Sequence, residues 1–435
     1  MTVRDFLGAV EKPSSAWLFR TCSIVALGLG SASVAMAAPP VLTSDAAKLD
    51  FLNQHMAPVQ KWRPLLMDGP PPTAKGHALR MGLNGTSVGT TLPYWSTVIT
   101  SPLDGHSYDL SMVGGNPYDA HPSNTNITYV PVAMRIHLGS FVLDPSVPSK
   151  CDAQSPMRRF FNSPLFRPTT FVSNGVNVSA IPGGTQIMSA FQRANFWNAV
   201  HDTPYGVTLI PSRLSPIVVD WYPSNPQDYI AGVSSNCGGA IPVAVVNINE
   251  YDSELQAIAA AYSGPGQLPI ILADDVAIYV GNDVNNCCVL GYHNAVPVPG
   301  GTQVYATGAY FDSDHVFGPH FADITVWTHE MAELFDDPFV QSIPGVPGGT
   351  HNGLTPAWGH TGQVSGCQNN LETGDPLTPD QNGSFGNYPV VGVEGFTYHY
   401  QDEAFHDWFY RTPSTSTGGK YSFVGNFISV QGACH

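Results

Sequence analysis

Two periods of apolar residues run through the chain and predict its elements. A 3.6-residue period appears at Leu49, Leu52, Met56 and Val59, behind the candidate N-cap Ser44. It predicts a helix over Asp45–Trp62 that ends near Pro64. From there to about Asn126 the text is turn-rich (DGPPP, NGTSVGT, SPLDG, VGGNP) with short β-like runs and no helical period. ITYVPVAMRIHL, Ile127–Leu138, reads as a buried strand and the start of a domain. Thr185–Val200 carries Ile187, Met188, Phe191, Phe196 and Trp197 on a helical pattern. The run continues with a strand at Val243–Ile248, a helix at Tyr251–Tyr262 and a strand at Leu268–Val280. Two more strands, CCVLGYHNAV and TQVYATGAYF, precede a helix within Phe321–Pro338. Strand, helix, several strands, helix is the order of a mixed sheet with helices on it.

Met1–Ala37 changes the picture at the N-terminus. A basic n-region with Arg4, Lys12 and Arg20 leads into an apolar run from Cys22 to Val34 and an A-x-A site at Ala35–Ala37. That is the layout of a secretory signal cleaved near Ala37, and it predicts a secreted or extracytoplasmic protein with no membrane contact after cleavage. The domains expected are therefore 1–37, a signal peptide, 38–126, an accessory or pro-like region, and 127–435, the domain that carries the chemistry.

Without the signal the chain has 17 − 3 = 14 Lys+Arg against 33 − 2 = 31 Asp+Glu, a net charge of −17, so nucleic acid is excluded as a partner. Charged residues are only 11% of the chain, with 43 Gly and 38 Pro, which suits a loop-rich exported protein. Cys151, Cys237, Cys287, Cys288, Cys367 and Cys434 remain in the mature chain and predict up to three disulfides. Neighbouring Cys287 and Cys288 are expected to bond different partners, because a bridge between neighbours is strained.

The chemistry concentrates in WTHEMAELFDDP. On a helix, His329 and Glu333 share a face at i and i+4. They could grip one metal ion while Glu330 acts as general base on an activated water. The chain holds eight glutamates and 15 histidines, so chance alone would produce H-E-x-x-E about 0.005 times. The competing reading is a helix whose glutamates only face solvent.

His329-Glu330-x-x-Glu333 closed by Pro338, followed by Glu372-x-Gly374-Asp375, resembles the H-E-x-A-E…P and E-x-G-D pairs of secreted bacterial zincin-like metallopeptidases, and more distantly of plant phosphate-induced (exordium-like) proteins. The match covers about His329 to Leu377. It implies a zincin-like α+β fold, with a mixed sheet and an active-site helix beside a β-rich, turn-rich N-terminal region. It also implies Zn2+ or another divalent metal, a peptide or protein substrate, and Glu372 as third ligand, with Asp375 next and His360 third. One histidine and two carboxylates would cancel the charge of the ion and acidify water less than two histidines and one carboxylate. Cys367 could anchor the loop that carries Glu372.

Two function classes follow. One is a secreted zinc metallopeptidase; the other is a catalytically silent surface or carbohydrate-binding protein with a structural metal site, its sugar platform drawn from Phe396, Tyr398, Tyr400, Phe405, Trp408, Phe409 and Tyr410. His315, His320, His351, His360 and His399 are unranked candidates for an oxyanion donor. Gly85–Gly89 matches G-x-S-x-G but lacks the strand-to-helix elbow a nucleophilic serine needs. Asp312-Ser313-Asp314 lacks the remaining ligands of an EF-hand loop.

Overall fold

The computed structural model describes residues 65–67, 90–179, 183–281, 283–312, 322–339, 371–377 and 387–425, apart from 103, 104, 106, 235, 236, 238–240, 372, 375 and 376. The first half supplies β1 (Leu65–Met67), β2 (Tyr94–Thr100), β3 (Ser107–Val113), β4 (Asn124–Leu138), β5 (Phe141–Leu143) and helix α1 (Pro156–Phe161). After a small hairpin, β6 (Val172–Ser173) and β7 (Val176–Asn177), come α2 (Ile187–Asn195), α3 (Trp197–Val200), β8 (Gly206–Pro211), β9 (Ile217–Trp221), β10 (Tyr229–Ser234) and β11 (Ile241–Asn247). Then follow α4 (Ile248–Tyr262), β12 (Leu268–Asp274), β13 (Val276–Tyr279), β14 (Cys287–Val298), β15 (Gly301–Tyr310), α5 (Thr325–Asp336), β16 (Asn387–Val391), β17 (Thr397–Gln401) and α6 (His406–Tyr410).

Eleven of these strands form one mixed sheet in the order β10-β11-β13-β14-β15-β12-β4-β5, with β1 added to β14 and both β8 and β9 added to β4. Its long strands read as unbroken apolar text because both faces are covered. Along β12, Leu268, Ile270 and Leu272 enter one apolar cluster with residues of α2 and α5, while Ile271 and Ala273 enter another with residues of α4. Period-2 alternation thus sorts each strand between two helical layers. On β14 and β15 the same alternation turns Gly291, His293, Ala295, Val304, Ala306 and Gly308 toward α5. Tyr292 and Tyr305 face α4, where both hydroxyls donate to Asp252 Oδ1.

This architecture corrects the expected fold class. Among the described residues strand is about twice as abundant as helix (40% against 21%), and a large mixed sheet rather than a helix-dominated α+β body carries the site. Short apolar runs do not separate buried strand from buried helix by period, and the turn-rich N-terminal text hid strands. β1 belongs to the main sheet, and β2 pairs with β3 as a hairpin.

Two local corrections accompany it. Leu268–Val280 is two strands rather than one, broken at Asp275, whose φ is 50°. Cys287 and Cys288 bond each other, with their Cα atoms 3.0 Å apart across a cis peptide. This corrects the expectation that the two bond different partners. Cys151 bridges to Cys237. Cys367, Cys434 and the predicted helix over Asp45–Trp62 lie outside the described residues.

Candidate metal centre

Helix α5 is set in place at both ends. Ahead of it, Asp323 Oδ1 accepts from the backbone N–H of Ile324 at 2.5 Å and of His399 at 2.8 Å. Beyond it, Asp337 N–H returns to Glu333 O and Pro338 prevents continuation. Every residue of α5 is buried. It lies this close to the sheet because two strand residues lack a Cβ: one on Gly291 would meet Glu330 Cγ and Val326 Cγ1 at 2.8 Å, and one on Gly308 would meet Trp327 at 3.0 Å.

Two residues beyond Gly291 on the same face of β14 stands His293. Its Nε2 lies 3.1 Å from Asp337 O. A carbonyl only accepts, so Nε2 carries the proton and the Nδ1 lone pair turns toward Glu330 Oε2, 3.8 Å away. Burial pushes the His293 pKa down to about 3, and His329 acts in the same direction, so the ring is neutral at physiological pH. A neutral imidazole whose other nitrogen donates to a backbone carbonyl is the form that binds metal.

Donor atoms of His293, Glu330 and Glu333 all lie within 4.8 Å of one another, and this group could hold a metal ion. The donor chemistry fits, since one neutral imidazole and two carboxylates suit a divalent cation. The surrounding charge fits as well, because no lysine or arginine occurs anywhere between Arg213 and Arg411. His329 borders the group through Glu333: its Nε2 is 3.0 Å from Glu333 Oε1, which also accepts from Gly374 N–H at 3.2 Å. Gln401 pins that glycine by donating from Nε2 to Gly374 O at 2.8 Å, while its own N–H bonds Thr328 Oγ1 at 3.0 Å on α5.

The structure therefore brings together three residues named from sequence, His329, Glu330 and Glu333, and adds His293, which sequence reasoning missed. Its signal was a lone histidine inside the apolar run CCVLGYHNAV, two residues from a glycine. Glu372, Asp375, His360, His315, His320, His351 and the Gly85–Gly89 segment lie outside the described residues, although Gly374 between two of them does reach the site. His399 serves elsewhere, with Nδ1 2.8 Å from Asp323 Oδ2 ahead of α5. Of the aromatic residues proposed as a sugar platform, Tyr398, Tyr400, Phe405, Trp408, Phe409 and Tyr410 are core.

No protein-family model, curated protein or solved structure matches the chain, and the resemblance drawn above stands on its motif residues alone.

Proposed function

We propose that the chain is an exported metal-dependent hydrolase, a zinc metallopeptidase acting on peptides or proteins. The observation that supports this reading is the placement of His293 against the H-E-x-x-E helix. In it, His293 and Glu333 hold the ion beside Glu330, and His329 borders the group through Glu333 Oε1. Zinc would supply the Lewis acid that polarises the scissile carbonyl and acidifies a water molecule. Glu330, beside His293 Nδ1 at 3.8 Å, takes the proton of the attacking water and returns it to the leaving amine. The carbonyl of Asp337 keeps the His293 proton on Nε2 and away from the reacting side.

The test is zinc content together with turnover of a broad peptide panel. Glu330→Gln should retain zinc and lose at least about 100-fold in kcat, while His293→Ala should lose the zinc. Full activity in Glu330→Gln would overturn the mechanism. A second reading, a structural metal in a silent protein, is favoured by one observation: His293, His329, Glu330 and Glu333 are each fully buried. It requires that chelation lower the Tm while the wild-type protein cleaves no peptide.

A further inference from the structure

A pocket of about 430 Å³ lies between the β2–β3 hairpin and α6, and no residue of the metal centre lines it. Two aromatic rings form one of its corners. Trp95 of β2 and Tyr118 stand 6.2 Å apart at 81° to each other, and the buried Phe196 packs edge-on against both, with ring centroids at 5.7 and 5.8 Å. Trp95 is buried while Tyr118 is 54% exposed, so the corner opens to solvent on the tyrosine side.

The same pocket is lined by two acceptors that face each other. Asp407 is buried, and its carboxylate takes only neutral donors: Thr412 Oγ1 at 2.5 Å on Oδ1, and the N–H and Oγ1 of Thr415 at 2.8 and 2.9 Å on Oδ2. No lysine or arginine pairs with it among the described residues, and Arg411, at the end of α6, lies instead over the Trp408 ring, 4.7 Å from its centroid. His406 is the second acceptor. Asn195 Oδ1 receives the backbone N–H of His406 at 3.3 Å and lies 2.9 Å from its Nδ1; an amide oxygen only accepts, so Nδ1 carries the ring proton. Burial holds the imidazole pKa down against the smaller opposing effect of Asp407. Nε2 thus turns a lone pair toward Asp407 Oδ1 at 3.4 Å, an arrangement that asks for a donor between them.

We propose that this pocket binds the terminal ammonium group of an aliphatic amine, its charge against Asp407, one N–H directed to His406 Nε2 and its alkyl chain along Trp95 and Tyr118. The site does not rest on the metal-site reading. An ammonium group supplies three donors and a charge that aromatic rings attract. An anion would meet the Asp407 carboxylate with no cation between them, and a sugar would find the hydroxyls of Thr412 and Thr415 already donating to it.

The deciding experiment is calorimetric titration of the full-length protein with n-butylammonium, with its uncharged counterpart 1-pentanol and with methyl glucoside, with and without chelator and below the Tm in chelator. One n-butylammonium per chain is expected, bound at least about tenfold more tightly than 1-pentanol and equally well in chelator. Nα-acetyl-lysine methylamide carries the same group on a peptide: its binding assigns the pocket to a lysine side chain, and its failure where n-butylammonium binds assigns it to a free amine. Asp407→Asn should weaken n-butylammonium by about tenfold or more, and Tyr118→Leu, at a half-exposed position, by about threefold with the wild-type Tm. Absence of n-butylammonium binding, equal binding of 1-pentanol, tighter binding of methyl glucoside or loss of the ammonium in chelator would each overturn the proposal. So would unchanged affinity in an Asp407→Asn protein that melts like the wild type. If that variant melts lower, Tyr118→Leu decides, and unchanged affinity there overturns the site.

Discussion

Gly374 lies flat against the His329 imidazole, so close that a Cβ there would overlap Nδ1. The glycine of the E-x-G-D motif thus acts as a packing surface, and its N–H completes the coordination of Glu333 Oε1 by neighbours. Gly374→Ala should push the ring off its position. The expected outcome is a loss of about 1–3 kcal/mol in stability and zinc binding weakened by tenfold or more, measured by urea unfolding and zinc titration.

Chelation gives a second prediction. Buried carboxylates that face one another are stabilised by the cation they hold, so metal binding is linked to folding. At a free ion concentration of about 1,000 times Kd the linkage is worth about 4 kcal/mol. Stripping the metal should therefore lower the Tm by several degrees, and zinc should restore it. An unchanged melting curve after verified removal of bound metal would count against the site.

The pair His399–Asp323 supplies the pH dependence. The hydrogen bond to Asp323 raises the His399 pKa above its ordinary value. A group whose pKa is higher in the folded state stabilises the fold fully below its unfolded value, near pH 6.5, and that contribution disappears as pH rises through the folded value. His399→Gln should remove this component. The stability curves of the variant and the wild type should differ in acid and converge above the raised pKa.

Cys151–Cys237 closes a loop with a sequence separation of 86. On chain-entropy grounds, its removal in Cys151→Ser should cost roughly 4 kcal/mol. Thermal melting with and without reductant checks this, since the variant should be the less sensitive to reductant.

Much of the site and less of the fold can be read from the residues themselves. His329, Glu330 and Glu333 stand out because a four-residue spacing and rare glutamates leave a local signal. His293 leaves only a lone histidine in an apolar run: 36 positions from His329, it reaches the helix because β14 and α5 are packed across Gly291, and such long-range packing has no period. Strands such as β4, β14 and β15 are visible as apolar text, but their partners are not. β4 pairs with β5, β8, β9 and β12, all from later in the chain. The fold class went astray for that reason, since a resemblance confined to about fifty residues round one helix carried no information about an eleven-stranded sheet.

That arrangement of β4 sets the timing of folding. Its parallel partners span Gly206–Trp221 and Leu268–Asp274, so a chain made from the N-terminus has β4 paired only at its β5 end until roughly 70 further residues exist (206 − 138 = 68), and lacks β12 until about 130 do (268 − 138 = 130). Long-range parallel pairing is slow, and waiting edges recruit other chains. During synthesis, β4 is the segment on which a holding chaperone would act, and its exposed backbone is where premature collapse would turn into aggregation.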